Sequence, residues 1–157
     1  MNNNRKRIGL ISDTHGLLRE SALQALQKSD IIIHAGDIDT PEIIDTLKTI
    51  APVFPVRGNM DRIPQKGGLP EYEIVEFGEI LIYVIHDLFK MDLDPEAAGF
   101  DVVVSGHSHK PEIKHKDNVL YINPGSAGPR RITLPITVGM LEINGDEITP
   151  LIIEIDE

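Results

Sequence analysis

The chain of 157 residues contains no cysteine and no tryptophan, and aromatic residues make up 4% of it. Without cysteine, disulfides, thiolate nucleophiles and Cys-based zinc or iron–sulfur sites are excluded. Any bound metal must be held by imidazole, carboxylate or amide oxygen. With so few aromatics, the 41% hydrophobic fraction has to build its core from Ile, Leu and Val. Basic residues are scarce as well, with Lys+Arg 15 against Asp+Glu 25 and a formal net charge of −10. Such a chain is poorly suited to neutralising a phosphate backbone, so bulk nucleic-acid binding is not expected. Anionic lipid surfaces should repel it. No apolar run approaches the roughly 20 residues of a membrane span. The run IGLI after MNNNRKR is too short for a signal-peptide core. The expectation is a cytoplasmic protein with one domain over residues 1–157.

What is present is a repeated pattern of strand and helix. Arg7–Ser12, Asp30–Gly36 and Pro52–Val56 read as strands, and the centre of the second is Ile31, Ile32, Ile33. A continuous apolar centre suits a strand buried on both faces. Leu17–Lys28 carries apolar residues at helical spacing, and Thr40–Pro41 reads as an N-cap and first helical position of a helix reaching about Ile50. Strand–helix–strand–helix–strand implies right-handed crossovers and a parallel sheet. Residues 57–69 form a loop. The second half is mostly β. Glu71–Phe77 and Ile80–His86 form a hairpin, a short helix lies around Pro95–Ala98, and Asp101–Ser105 and Val119–Asn123 are strands. Ile136–Ile143 and Glu147–Ile155 flank the turn signal Asn144–Gly145. Two sheets packed face to face, with helices outside, are expected.

The polar residues that close these apolar runs carry the chemistry. Asp13 and His15 follow the first strand, Asp37 the second, and Asn59 the third. His86 ends the hairpin, and His107 with His109 follows Asp101–Ser105. In open α/β sheets the ligand crevice lies outside the carboxyl ends of the strands, so these side chains can converge. The two-apart pairs Asp13/His15 and His107/His109 turn both side chains of an extended segment to one side. A mixed Asp, Asn and His set suits Mn, Fe, Co, Ni or Zn, whereas Mg or Ca would favour oxygen throughout. If two divalent ions share Asp37, with Asp13 as the second carboxylate and a bridging hydroxide, about one positive charge remains to attract a phosphate group.

The motifs Asp13-Thr14-His15, Gly36-Asp37, Gly58-Asn59, His86 and Gly106-His107-Ser108-His109 resemble those of the calcineurin-like metallophosphoesterases, in the family's order. Length and the segment Asn123-Pro124-Gly125-Ser126 look like the small bacterial and archaeal phosphodiesterase branch. The resemblance implies a four-layer α/β/β/α sandwich of two mixed sheets flanked by helices. It also implies two divalent ions, manganese first among Mn2+, Ni2+, Fe2+, Co2+ and Zn2+. Asp13, His15 and His109 would hold one ion, Asn59, His86 and His107 the other, and Asp37 would bridge them. Asp37, Asn59 and His86 would serve catalysis, and Asn59 with Arg57 would meet the substrate, a small phosphoester. A bridging hydroxide would attack phosphorus in line. Phosphomonoester hydrolysis is the nearest alternative. A non-catalytic module, like the retromer subunit of the same fold, is the other, although no ligand position is lost here.

Two positions depart from the family pattern. Met60 stands where many members carry a histidine that contacts substrate and protonates the leaving group, and methionine donates no proton. Asp61 thus lacks its usual partner. Asp87 follows His86 where glycine is frequent, and reads as a carboxylate that orients a ligand or begins a turn. His34 reads as a core or supporting histidine and His115, between two lysines, as solvated. Asp39 reads as a helix-entry residue or as a partner of a ligand, and Arg130 with Arg131 as candidates to meet substrate phosphate, although exposed arginines usually have no such task. Strands near the carboxyl end leave pairing into a homo-oligomer open.

Overall fold

The computed structural model describes residues 5–59, 61, 68–131 and 133–156. Met60 therefore lies outside the described residues. Strands β1 (Lys6–Ile11), β2 (Ile31–His34) and β3 (Val53–Pro55) alternate with helices α1 (Glu20–Leu26) and α2 (Pro41–Lys48). The three strands run parallel, as the crossover pattern requires. The hairpin β4 (Tyr72–Phe77) and β5 (Ile80–Ile85) is followed by β6 (Val102–Val104), β7 (Glu112–Lys116) and β8 (Val119–Asn123). The chain closes with β9 (Thr137–Asn144) and β10 (Glu147–Glu154).

Among the described residues ten strands form two mixed sheets of five, ordered β10-β9-β1-β2-β3 and β4-β5-β6-β8-β7. The carboxyl-terminal hairpin returns to the first sheet, where Ile8 pairs antiparallel with Leu141. The sheets face each other across a core of Ile, Leu and Val. Ile8, Leu10 and Ile33 from one meet Ile82, Val104 and Ile122 from the other. The outer face of the first sheet is covered by α1 and α2 through Ala22, Leu26, Ile43 and Leu47. Each helix therefore shows one apolar stripe and one wet face, as the sequence spacing predicts.

The outer face of the second sheet carries Tyr83, Ile85, Phe100, Val103 and Val119. Its cover is thinner. The expected helix around Pro95–Ala98 is a single turn, begun by Asp94 Oδ1 accepting from the Glu96 and Ala97 amides and ended at Gly99 with φ 88°. A 3-10 turn, Leu88–Lys90, precedes it. Strand β7, absent from the sequence reading, is exposed at every position, so it shows no apolar alternation. It is an edge strand whose Lys114 and Lys116 discourage pairing with another chain. Among the described residues no helix is long and apolar enough to cross a membrane.

Candidate metal centre

Asp13, Asp37, Asn59, His86, His107 and His109 all lie just past strand carboxyl ends, so the two sheets deliver their loops to one edge of the sandwich. The loops are bound to one another. Asp13 N donates to Gly36 O at 2.9 Å, His15 N to Asp37 O at 2.9 Å and Gly16 N to Ile38 O at 3.0 Å. Much of this backbone is left-handed, with φ 54° at Asp13, 45° at His15, 59° at Asp37, 72° at His107 and 65° at His109. Asp, Asn and His tolerate that region better than other side chains do, and strain of this kind clusters at functional sites. Two glycines are demanded by contact. A Cβ on Gly36 would lie 2.6 Å from His86 Nδ1, and one on Gly58 would collide with Asp37 Oδ1.

The side chains converge in two overlapping groups. Asp13, His15 and His109 bring one ligand atom each within 4.8 Å of one another, and so do Asp13, Asp37 and His86. Asp13 Oδ1 lies 3.4 Å from His109 Nε2, 3.9 Å from His15 Nε2 and 3.9 Å from His86 Nε2. Asp37 Oδ2 lies 3.3 Å from His86 Nε2 and 3.7 Å from His15 Nε2. Asp13 Oδ1 and His15 Nε2 are buried without a hydrogen-bond partner among the described residues. Buried polar atoms are almost always paired. Two orphaned ligand atoms facing one another across a gap too long for a hydrogen bond suit a divalent cation between them. Burial pushes the Asp13 carboxyl above its ordinary range, and the neighbouring Asp37 adds to this, against the Ser12 hydroxyl, His86 and His109.

His86 shows the same need. Its Nδ1 donates to Ala35 O at 2.7 Å, which turns the Nε2 lone pair toward Asn59 Oδ1 at 3.1 Å and Asp37 Oδ2. Oxygen atoms facing a lone pair call for a proton or a cation in between. Burial works against a charge on this ring, but the Asp37 hydrogen bond, Asp13 and the Ala35 carbonyl outweigh it, so its pKa is raised.

Not every residue singled out in the sequence comes equally close. Asn59 reaches the site through His86. His107 packs edge-on against His86, with ring centroids 5.3 Å apart, and its Nε2 is 3.9 Å from Asp87 Oδ2. It stands outside both close groups. Arg57 lines a cleft beside Asn59 and His86. Asp39 faces His15 Nδ1 from 3.7 Å.

Two supporting residues exceed their reading from sequence. Fully buried His34 accepts from Gly36 N at its Nδ1 and meets Thr14 Oγ1 at 3.0 Å through Nε2. Burial first, then the nearby His86, push its pKa down to about 3, so it is neutral and ties the two loops together. Asp61 is buried, and its carboxylate accepts from four backbone amides: Asp37 and Gly58 at Oδ2, Ile38 and Asp39 at Oδ1. It locks the Asp37 loop onto the Asn59 loop. The available sequence signal is its place after Gly58-Asn59, but nothing local shows whose amides it receives.

A histidine–carboxylate cluster at the strand ends of a double-sheet α/β sandwich defines a protein built to bind metal. The family model for the calcineurin-like phosphoesterase superfamily domain matches residues 7–146, and the chain belongs to that superfamily. It is similar to a probable metallophosphoesterase of Methanocaldococcus jannaschii, 40% identical over 76% of this chain and 67% of that protein. It is also similar to a phosphodiesterase of the same organism, at 24% identity over 94% of this chain and 99% of the other. Vacuolar protein sorting 29 from Cryptosporidium parvum shares the fold, with TM-score 0.81 and 22% identity over 98% of this chain and 93% of that one.

Proposed function

We propose that this chain hydrolyses phosphodiesters at a dinuclear centre. Asp13, His15 and His109 would hold one ion, Asn59, His86 and His107 the second, and Asp37 would bridge them. The observation that supports the reading is the orphaned, buried Asp13 Oδ1, facing three histidine nitrogens beside Asp37. When bound, two divalent ions supply a hydroxide nucleophile at neutral pH and neutralise charge that develops on the phosphoryl oxygens. Manganese is the first choice, since the ligand set mixes imidazole with carboxylate and amide oxygen.

The chain's own residues do the rest. Asp37 sets the separation of the two ligand groups. Asp61 and His34 keep its loop from relaxing, so the geometry exists before substrate arrives. Asn59 and His86 face the phosphoryl group, and Arg57 meets substrate from the adjoining cleft. Met60 supplies no proton to the leaving group. A monoester, which carries more charge and needs that proton more, is then the poorer substrate.

A metal-stripped preparation, reconstituted with Mn2+, should hydrolyse diphenyl phosphate at least about tenfold faster than phenyl phosphate, whose poor phenolate leaving group needs the proton that Met60 does not supply, as a kcat/KM ratio. A reversed preference would move the assignment to a phosphomonoesterase. The likeness to vacuolar protein sorting 29 favours a scaffold only at the level of fold. Metal-free protein from anaerobic purification, inert on both esters after reconstitution, would support that second reading.

A further inference from the structure

Two clefts adjoin the candidate centre and share a wall. The first, about 380 Å³, borders Asn59 and His86 and is lined by Arg57, Leu69, Ile85 and Lys90. The second, about 220 Å³, lies beside His107 and is lined by Leu88, Phe89, Tyr121 and Ile122, with Lys110 and Glu112 as its charged lining residues beside Asp87. Asp87 belongs to both linings. Its Oδ1 accepts from Phe89 N at 3.1 Å and caps the turn Leu88–Lys90. That turn divides the clefts, with Phe89 on one side and Lys90 on the other.

The two spaces differ in chemistry. In the first, the side chains of Arg57 and Lys90 form no ion pair among the described residues, although Glu71 and Asp87 border the same cleft. In the second, Phe89 is 99% exposed, on a turn fixed by its cap. Full exposure forgoes the apolar burial that an aromatic side chain ordinarily gains. One exposed apolar side chain is ordinary on any surface. This one stands three residues past His86, on the rim of a cleft that also holds His107, with half-exposed Leu88 beside it.

We propose that the clefts are arm sites of opposite chemistry for a phosphodiester held at the centre. A flat aromatic group lies against Phe89, and an anionic arm, a carboxylate or a further phosphate, lies between Arg57 and Lys90. The inference rests on the phosphodiesterase reading and narrows its substrate class to asymmetric diesters with one arm of each kind.

The absence of tryptophan makes the test direct. Phe89→Trp places a single fluorophore on the rim. In the zinc-loaded protein, phenylphosphonate should quench it and bind about fivefold tighter than methylphosphonate. Phe89→Ala, which carries no tryptophan and is titrated by calorimetry beside the wild type, should erase that preference. Likewise 2-carboxyethylphosphonate should bind about fivefold tighter than propylphosphonate, and Arg57→Ala combined with Lys90→Ala should erase the difference. Equal affinities within each pair, in a preparation that hydrolyses bis(p-nitrophenyl) phosphate, overturn the arm sites alone. A preparation that neither hydrolyses the diester nor binds any phosphonate overturns the phosphodiesterase reading with them. If Phe89→Ala dissociates a dimer in sedimentation and leaves the phenyl preference intact, the face serves a second copy of the chain and the proposal falls.

Discussion

Replacing Asp37 with alanine should lower kcat/KM for bis(p-nitrophenyl) phosphate at least about a thousandfold, and added Mn2+ should not restore it. The magnitude follows from position. Asp37 Oδ2 lies 3.3 Å from His86 Nε2 and 3.7 Å from His15 Nε2, so in the proposed centre this one carboxylate would serve both ions. Its removal costs charge and geometry at once. Asp37→Asn separates the two, because the amide keeps an oxygen but carries no charge. That variant should retain the fold, bind metal more weakly and hydrolyse the diester at about a hundredth of the wild-type rate. Near-wild-type activity in Asp37→Ala would remove the bridging role outright.

The second large effect lies one layer out, at Asp61. Truncation to alanine leaves the amides of Asp37, Ile38, Asp39 and Gly58 without their acceptor inside the protein. Unpaired buried donors cost about 1–3 kcal/mol each, and water entry recovers part, so a net loss of about 3–5 kcal/mol is expected. For a chain of this size that lowers the melting temperature by roughly 10 °C. Metal affinity should fall together with stability, because the Asp37 loop is no longer tied to the Asn59 loop. Asp61→Asn keeps one acceptor oxygen and should fall between wild type and alanine on both readouts. Full stability in Asp61→Ala would show that the loops hold their shape through the His34 and Thr14 contacts alone.

The contrast between these residues shows what a sequence can carry. Asp13, Asp37 and His86 interrupt apolar strands at the points where the chain must turn, so polar residues at those positions stand out. Their gathering then follows from the strand-end rule and the parallel order of β1, β2 and β3. The hairpin turn at Asn144–Gly145 is equally legible, because only certain residues take its backbone. Long-range pairing is not. That β9 lies beside β1 depends on Ile8 meeting Leu141, a contact between distant segments with no local trace. Strand β7 escapes because both its faces are wet, and the turn after Asp94 is too short for its spacing to separate helix from bend. Asp61 escapes for another reason. Its place in the motif suggests a histidine partner that this chain lacks, while its actual partners are main-chain amides, which every residue but proline possesses.

The ion-binding claim itself is tested most directly by anomalous scattering from crystals soaked in manganese. The expected map holds two peaks about 3.5–4 Å apart with Asp37 between them. One peak should lie against Asp13, His15 and His109, and the other against Asn59, His86 and His107. A single peak, or a pair of peaks that does not share Asp37, would contradict the dinuclear centre.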